Sequence, residues 1–152
     1  MKAATLALCA SMAAMAAPPS AAHDHATGVV KERMDMMKLM AQQMKAIRES
    51  IEARRNLAAI RTHAESIAGH APHIVHLFPS GSTQRPTDAN GAIWRNWIDF
   101  ERKATSLETE SKKLAAASVD DFAALAAQVR AVSQACGACH EKYRTKRRRG
   151  DV

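Results

Sequence analysis

Residues 134–152 read QACGACHEKYRTKRRRGDV, and within them Cys136, Cys139 and His140 form a C-x-x-C-H. Two thiols at this spacing with an abutting His are the arrangement that holds a c-type haem covalently while the imidazole binds its iron. A pair of cysteines can also close a disulfide. Zinc would want four ligands, and a thioredoxin-like site would want a βαβ context that the surrounding pattern lacks. The motif therefore predicts one covalently attached haem c at Cys136 and Cys139, with His140 on the iron. Only twelve residues follow His140. A haem needs a wall on each face, so the second wall must come from earlier in the chain.

The other end of the chain reads as an export signal. Residues 1–22 are MKAATLALCASMAAMAAPPSAA, with one Lys, an Ala/Leu/Met run and small residues before His23. That pattern predicts a signal peptide over 1–22 and a mature domain over 23–152, placed in the periplasm, with no membrane span. A lipoprotein reading through Cys9 is poor because Leu8 precedes it where a small residue is wanted. Cleavage would leave Cys136 and Cys139 as the mature chain's only thiols, which suits haem attachment. A mature length of about 130 residues suffices for one domain with its own core. The formal charge is +7, of which cleavage removes only Lys2. The basic run at 142–149 suits the negative end of a helix dipole or an acidic redox partner better than nucleic acid, which an exported protein rarely meets.

Between residues 27 and 147 apolar residues recur at three and four with no strand-like alternation, which predicts helices throughout. The first, about 27–50, puts Val30, Met34, Met37, Ala41, Met44 and Ile47 on one face; the second, about 52–70, puts Leu57, Ile60, Ala64 and Ile67 on one. A loop rich in Pro, Gly, Ser and Thr follows. The third, about 91–117, aligns Ile93, Trp97, Phe100, Ala104, Leu107 and Leu114. Ser118-Val119-Asp120-Asp121 reads as a capping box opening the fourth. Its stripe of Phe122, Leu125, Val129, Val132, Cys136, Cys139 and Tyr143 sets the haem motif on a buried helix face.

Four such helices predict an all-α, antiparallel up-down-up-down four-helix bundle. Its last helix would end beside the start of the first, with His140 six residues or roughly 10 Å from that end. The opposing wall would then come from about 30–40, with Ile93, Trp94 and Trp97 closing a side.

Three segments, VVKERMDMMKLM (29–40), DANGAIW (88–94) and CGACHEKYR (136–144), give the chain its family likeness. It resembles the class II c-type cytochromes, cytochrome c′ and the cytochrome c-556 group, across essentially the whole mature length. The resemblance implies that Cys136 and Cys139 form thioethers and that His140 is the proximal ligand. It also implies that Arg33 lies near the haem propionates, that Met37 occupies the distal position, that Asp88 and Trp94 pass the haem edge, and that Arg144 lies close to the proximal His. The chain departs from cytochrome c′ at Met34, where Gln is common. The resemblance also allows a homodimer through the first two helices.

The expected function is a monohaem carrier of single electrons with His140/Met37 ligation, serving redox partner proteins with an acidic docking surface. The alternative is a five-coordinate haem that binds NO or CO. An enzyme is not expected, because a peroxidase-type site needs a distal acid-base group and Asp35 falls off the core face. Met37 can also be plain core filler among Met34, Met36, Met40 and Met44. His70, His73 and His76 step by three beside Pro72 and read as loop histidines. If cleavage falls before His23, the terminal amine, two amides and His25 of His23-Asp24-His25 could hold Cu(II) in a square plane.

The covalent attachment is directly checkable. Protein expressed in the periplasm with haem-attachment machinery should keep its haem through acid-acetone extraction and stain for haem on a denaturing gel. Extractable haem, or a Cys136–Cys139 disulfide in the purified material, would contradict it.

Overall fold

The computed structural model describes residues 26–145. The expected signal peptide, the His23-Asp24-His25 segment and the basic residues from 146 onward lie outside the described residues. Five α-helices order the chain: α1 Gly28–Ala53, α2 Ala59–His70, the single turn α3 Ala92–Arg95, α4 Trp97–Ala116 and α5 Phe122–Tyr143. The long helices pack α1 on α2, α2 on α4, α4 on α5 and α5 on α1, closing an up-down-up-down four-helix bundle. No described helix is long and apolar enough to cross a membrane.

The first boundary differs from expectation for a backbone reason. The helix runs on to Ala53, and the chain turns through Arg54 (φ 47°) and Asn56 (φ 55°), both left-handed. Arg54 N–H donates to Ile51 O and Arg55 N–H to Ser50 O, each at 3.2 Å, satisfying carbonyls that the helix end leaves open. Such turns usually take Gly and sometimes Asn, so the Arg at the first left-handed position leaves no mark in the sequence. On α1 the buried residues are Val30, Arg33, Met40, Met44 and Ile47, while Ala41 is exposed. The core-facing register runs through Met40, one position earlier than the expected Ala41.

The connection 71–91 is more than a loop. Two 3₁₀ turns, 71–73 and 75–77, carry Ala71 and Ile74 into the core, and Phe78 follows them there. The expected third helix is broken at Asn96 (φ −130°, ψ 45°), whose side-chain amide donates to Ala92 O at 3.0 Å and ends α3. The cap of α5 is Asp121, whose Oδ1 accepts from Ala124 N–H at 3.0 Å, and not Ser118. Ser118 Oγ instead accepts from Asp120 N–H at 3.2 Å within the preceding turn. The last helix stops at Tyr143, so His140 lies three residues, about 5 Å, from its end.

Phe100 is the aromatic centre of the core. Its ring meets Phe78 edge-on at 4.9 Å, Tyr143 edge-on at 5.3 Å and Trp97 at 5.5 Å. It therefore joins the 71–91 connection, α4 and the end of α5. Phe100→Ala should cost about 3–5 kcal/mol in denaturant unfolding. Removing the α5 cap by Asp121→Ala should cost only about 1 kcal/mol. The reverse order would refute this account of the core.

Candidate functional site

The motif residues lie on the last two turns of α5. Cys136 and Cys139 are half-buried, unbridged and packed against the core. Burial pushes the Cys136 thiol up and the Cys139 thiol up to about 11. Both are protonated at neutral pH. His140, one residue on, is solvent-exposed, so the buried face expected for the whole motif reaches the two thiols only in part and not the imidazole, which projects from the helix end. Desolvation, and then the Arg144 charge, hold its pKa below the ordinary value, favouring the neutral imidazole that can coordinate a metal.

The turn that carries His140 is tied down on two sides. Across α4, Tyr143 Oη donates to Asp99 Oδ2 at 2.6 Å, Lys142 Nζ donates to the same oxygen at 2.9 Å, and Arg102 pairs with Oδ1. These donors hold the Asp99 carboxyl well below the usual carboxylate range, with Tyr143 the largest cause. On the other side the 88–90 segment runs antiparallel to 143–145. Asn90 N–H donates to Tyr143 O at 3.1 Å and Thr145 N–H to Asp88 O at 2.7 Å, with an ion pair from Arg144 to Asp88 at 3.0 Å. Asp88 and Arg144 thus meet each other at the end of α5. Trp94 is half-buried and donates from Nε1 to Phe78 O at 3.1 Å.

On α1, Met37 is half-buried and packs against the core, as does Met36, and Trp97 of α4 packs there too. Met34 is half-buried and Met40 is buried. Asp35 is exposed and paired with Lys31. Arg33 is only 3% exposed. Its Nη2 donates to Ser82 O at 2.8 Å and its guanidinium lies 4.3 Å over the Phe78 ring, but Nε and Nη1 have no partner. A buried cation with unused donors wants an anion. That orphaned charge, two thiols and a neutral imidazole suit a flat apolar ring bearing carboxylates. Of the neighbouring long-helix pairs, α1 and α5 touch least.

Three further residues shape the site and were missed in the sequence. Asp99 looks like any helix-surface acid until Tyr143 closes on it. Phe78 and Ser82 lie in a Pro/Gly/Ser-rich stretch with no periodicity to betray burial. His70 ends α2 half-buried, whereas His73 and His76 are exposed. No group of three or more metal-type side chains gathers among the described residues.

The family model described as Cytochrome C′ matches residues 28–144. A cytochrome c-556 from Agrobacterium fabrum is 31% identical over 81% of this chain and 85% of its own length. The crystal structure of cytochrome c′ from Thermochromatium tepidum superposes with a TM-score of 0.71 at 27% identity, covering 78% of this chain and 95% of that one. A nitric oxide complex of a cytochrome c prime variant from Alcaligenes xylosoxidans superposes at 0.68, also at 27% identity, over 78% of this chain and 94% of that one.

The Asp99 cluster has a pH signature. An unfolded Asp titrates near 3.9, and the folded value lies below it. The cluster's contribution is therefore present above about pH 4 and is lost as pH falls through that range toward the folded value. Asp99→Asn should lower stability at neutral pH and flatten the acid-side loss between about pH 5 and pH 2. Urea melts of the haem-loaded protein would show it; melts that track the unsubstituted protein at every pH would contradict it.

Proposed function

Because the chain belongs to the cytochrome c′ family, we propose that it is a monohaem c-type cytochrome carrying single electrons in the periplasm, with iron held between His140 and Met37. Members of this family carry one covalently attached c-type haem, which supplies the one-electron chemistry. Cys136 and Cys139 attach the ring. His140 presents a neutral nitrogen to the iron from a helix end clamped by Asp99, Tyr143 and Asn90. Arg33 meets a propionate, and Asp88, Trp94 and Arg144 border the ring's edge. The partners are redox proteins with acidic docking surfaces, suited to the chain's positive charge. No residue here is assigned a catalytic acid-base role.

The observation that carries the electron-carrier reading is the thioether of Met37. It lies one turn beyond the buried Arg33 and is half-buried against the same core cluster as Cys136 and Cys139. His/Met ligation raises a haem's potential, and two fixed ligands keep the iron's surroundings alike in both oxidation states.

A second reading has specific support from the comparisons and is favoured by them. Solved structures similar to this chain include cytochromes c prime, among them nitric oxide complexes. In that reading Met37 packs over the iron without bonding to it, and NO or CO enters on that side.

One spectrum separates the two. The electron-carrier reading expects low-spin, six-coordinate iron with the near-infrared band of Met-ligated ferric haem, and slow or absent CO binding to the reduced protein. Met37→Ala should then turn the iron high-spin and admit CO readily, while Met34→Ala and Met40→Ala leave ligation intact. An unsubstituted protein that is already high-spin and binds CO quickly would overturn His140/Met37 ligation in favour of gas binding.

A further inference from the structure

Among the described residues the buried charge is the guanidinium of Arg33, and the residue beside it also has an unused polar group. Ser82 is 6% exposed. Its N–H donates to Pro79 O at 3.1 Å and its carbonyl accepts from Arg33 Nη2 at 2.8 Å. Only its hydroxyl is uncommitted, with no partner for Oγ. Nε and Nη1 of Arg33 are in the same condition. Burial lowers the Arg33 pKa and no neighbouring charge offsets the effect. The Phe78 ring under the guanidinium, 4.3 Å away, fixes its plane but accepts none of the open N–H groups.

All of these open positions can donate a proton to an acceptor. Each bidentate edge of a guanidinium pairs Nη2 with either Nε or Nη1. Nη2 gives one N–H to Ser82 O and keeps a second, which with a neighbouring open N–H can match two oxygens of one planar anion, while the Ser82 hydroxyl can reach a third lone pair. The matching ligand chemistry is a carboxylate or another oxyanion, held out of water. A haem brings carboxylates at its edge, and the ring must lie near α1 if Met37 faces its iron.

We propose that Ser82 Oγ and the open edge of Arg33 form one buried subsite for a single haem carboxylate, with Ser82 as the second donor to it. The proposal rests on the haem reading above and extends it to a residue in the 71–91 connection. A carboxylate so held is stabilised in its ionised form. It stays ionised in both oxidation states, so the reduction potential is insensitive to pH around neutrality. Without the hydroxyl, its pKa rises and differs between the oxidised and reduced protein, and a proton then follows the electron.

The test uses the haem-loaded protein with Ser82→Ala and Ser82→Thr, read by the potential as a function of pH and by the propionate-bending bands in resonance Raman spectra. Ser82→Ala should shift one propionate band and introduce a pH window in which the potential falls as pH rises; Ser82→Thr should restore native behaviour. If Ser82→Ala matches the native protein while Arg33→Gln shifts the band, Arg33 holds the carboxylate alone and the proposal is overturned with the haem reading intact. Phosphate added to phosphate-free protein tests the other oxyanion source, and a native potential or band that moves with phosphate would also overturn it. In the unsubstituted protein one propionate band should shift in deuterium oxide, and its failure to shift counts against the subsite even if a variant does not fold. Absence of covalent haem on a denaturing gel marks the separate failure of the underlying reading.

Discussion

The structure depends on the immobility of one helix end. Cys136, Cys139 and His140 all lie within the last eight residues of α5, where an unsupported helix frays because its final carbonyls have no partners. Here those carbonyls are engaged from outside. Asn90 supplies its backbone N–H to Tyr143 O and its side-chain amide to Lys142 O, both at 3.1 Å. Tyr143 turns inward, 4% exposed, stacks edge-on against Phe100 and ends its hydroxyl on Asp99. A side chain carried three residues from a helix end keeps its direction only because the end behaves like a helix middle.

The facing wall is built by different means. α1 brings thioethers and one buried cation rather than a hydrogen-bonded frame, and thioethers adapt their shape to whatever they meet. Arg33 is the exception to that softness. It ties α1 to the 71–91 connection through Phe78 and Ser82, and Trp94 ties the same connection to α3. A continuous contact line then runs from Arg33 through Phe78 and Phe100 to Tyr143, so the two walls share one aromatic support. The site has a rigid side and a compliant side, joined through Phe100.

The bundle was readable from the sequence because long amphipathic stripes repeat over many turns. Misplacing one residue, as with Ala41 for Met40, leaves such a pattern recognisable. The motif was readable because thiols and an imidazole at that spacing have few other uses. What escaped notice depends on contacts between distant segments. Arg54 ends α1 in a left-handed conformation that its side chain does not advertise, so that boundary was invisible. Phe78 and Ser82 are buried by a chain path that no local period encodes. Asp99 acquires its importance from Tyr143, 44 positions along the chain. The Asn96 break needs one side chain to prefer its own backbone over the helix, a local competition that an apolar stripe running through it conceals.

The protonated state of the two thiols bears on the order in which the molecule is assembled. Attachment to a vinyl group draws on the thiolate, and a thiol raised to about 11, as Cys139 is, offers very little of it at neutral pH. The same suppression makes the closed bundle a poor candidate for accidental disulfide formation. An unfinished chain, with Cys136 and Cys139 still in water, would have ordinary thiols and react much faster.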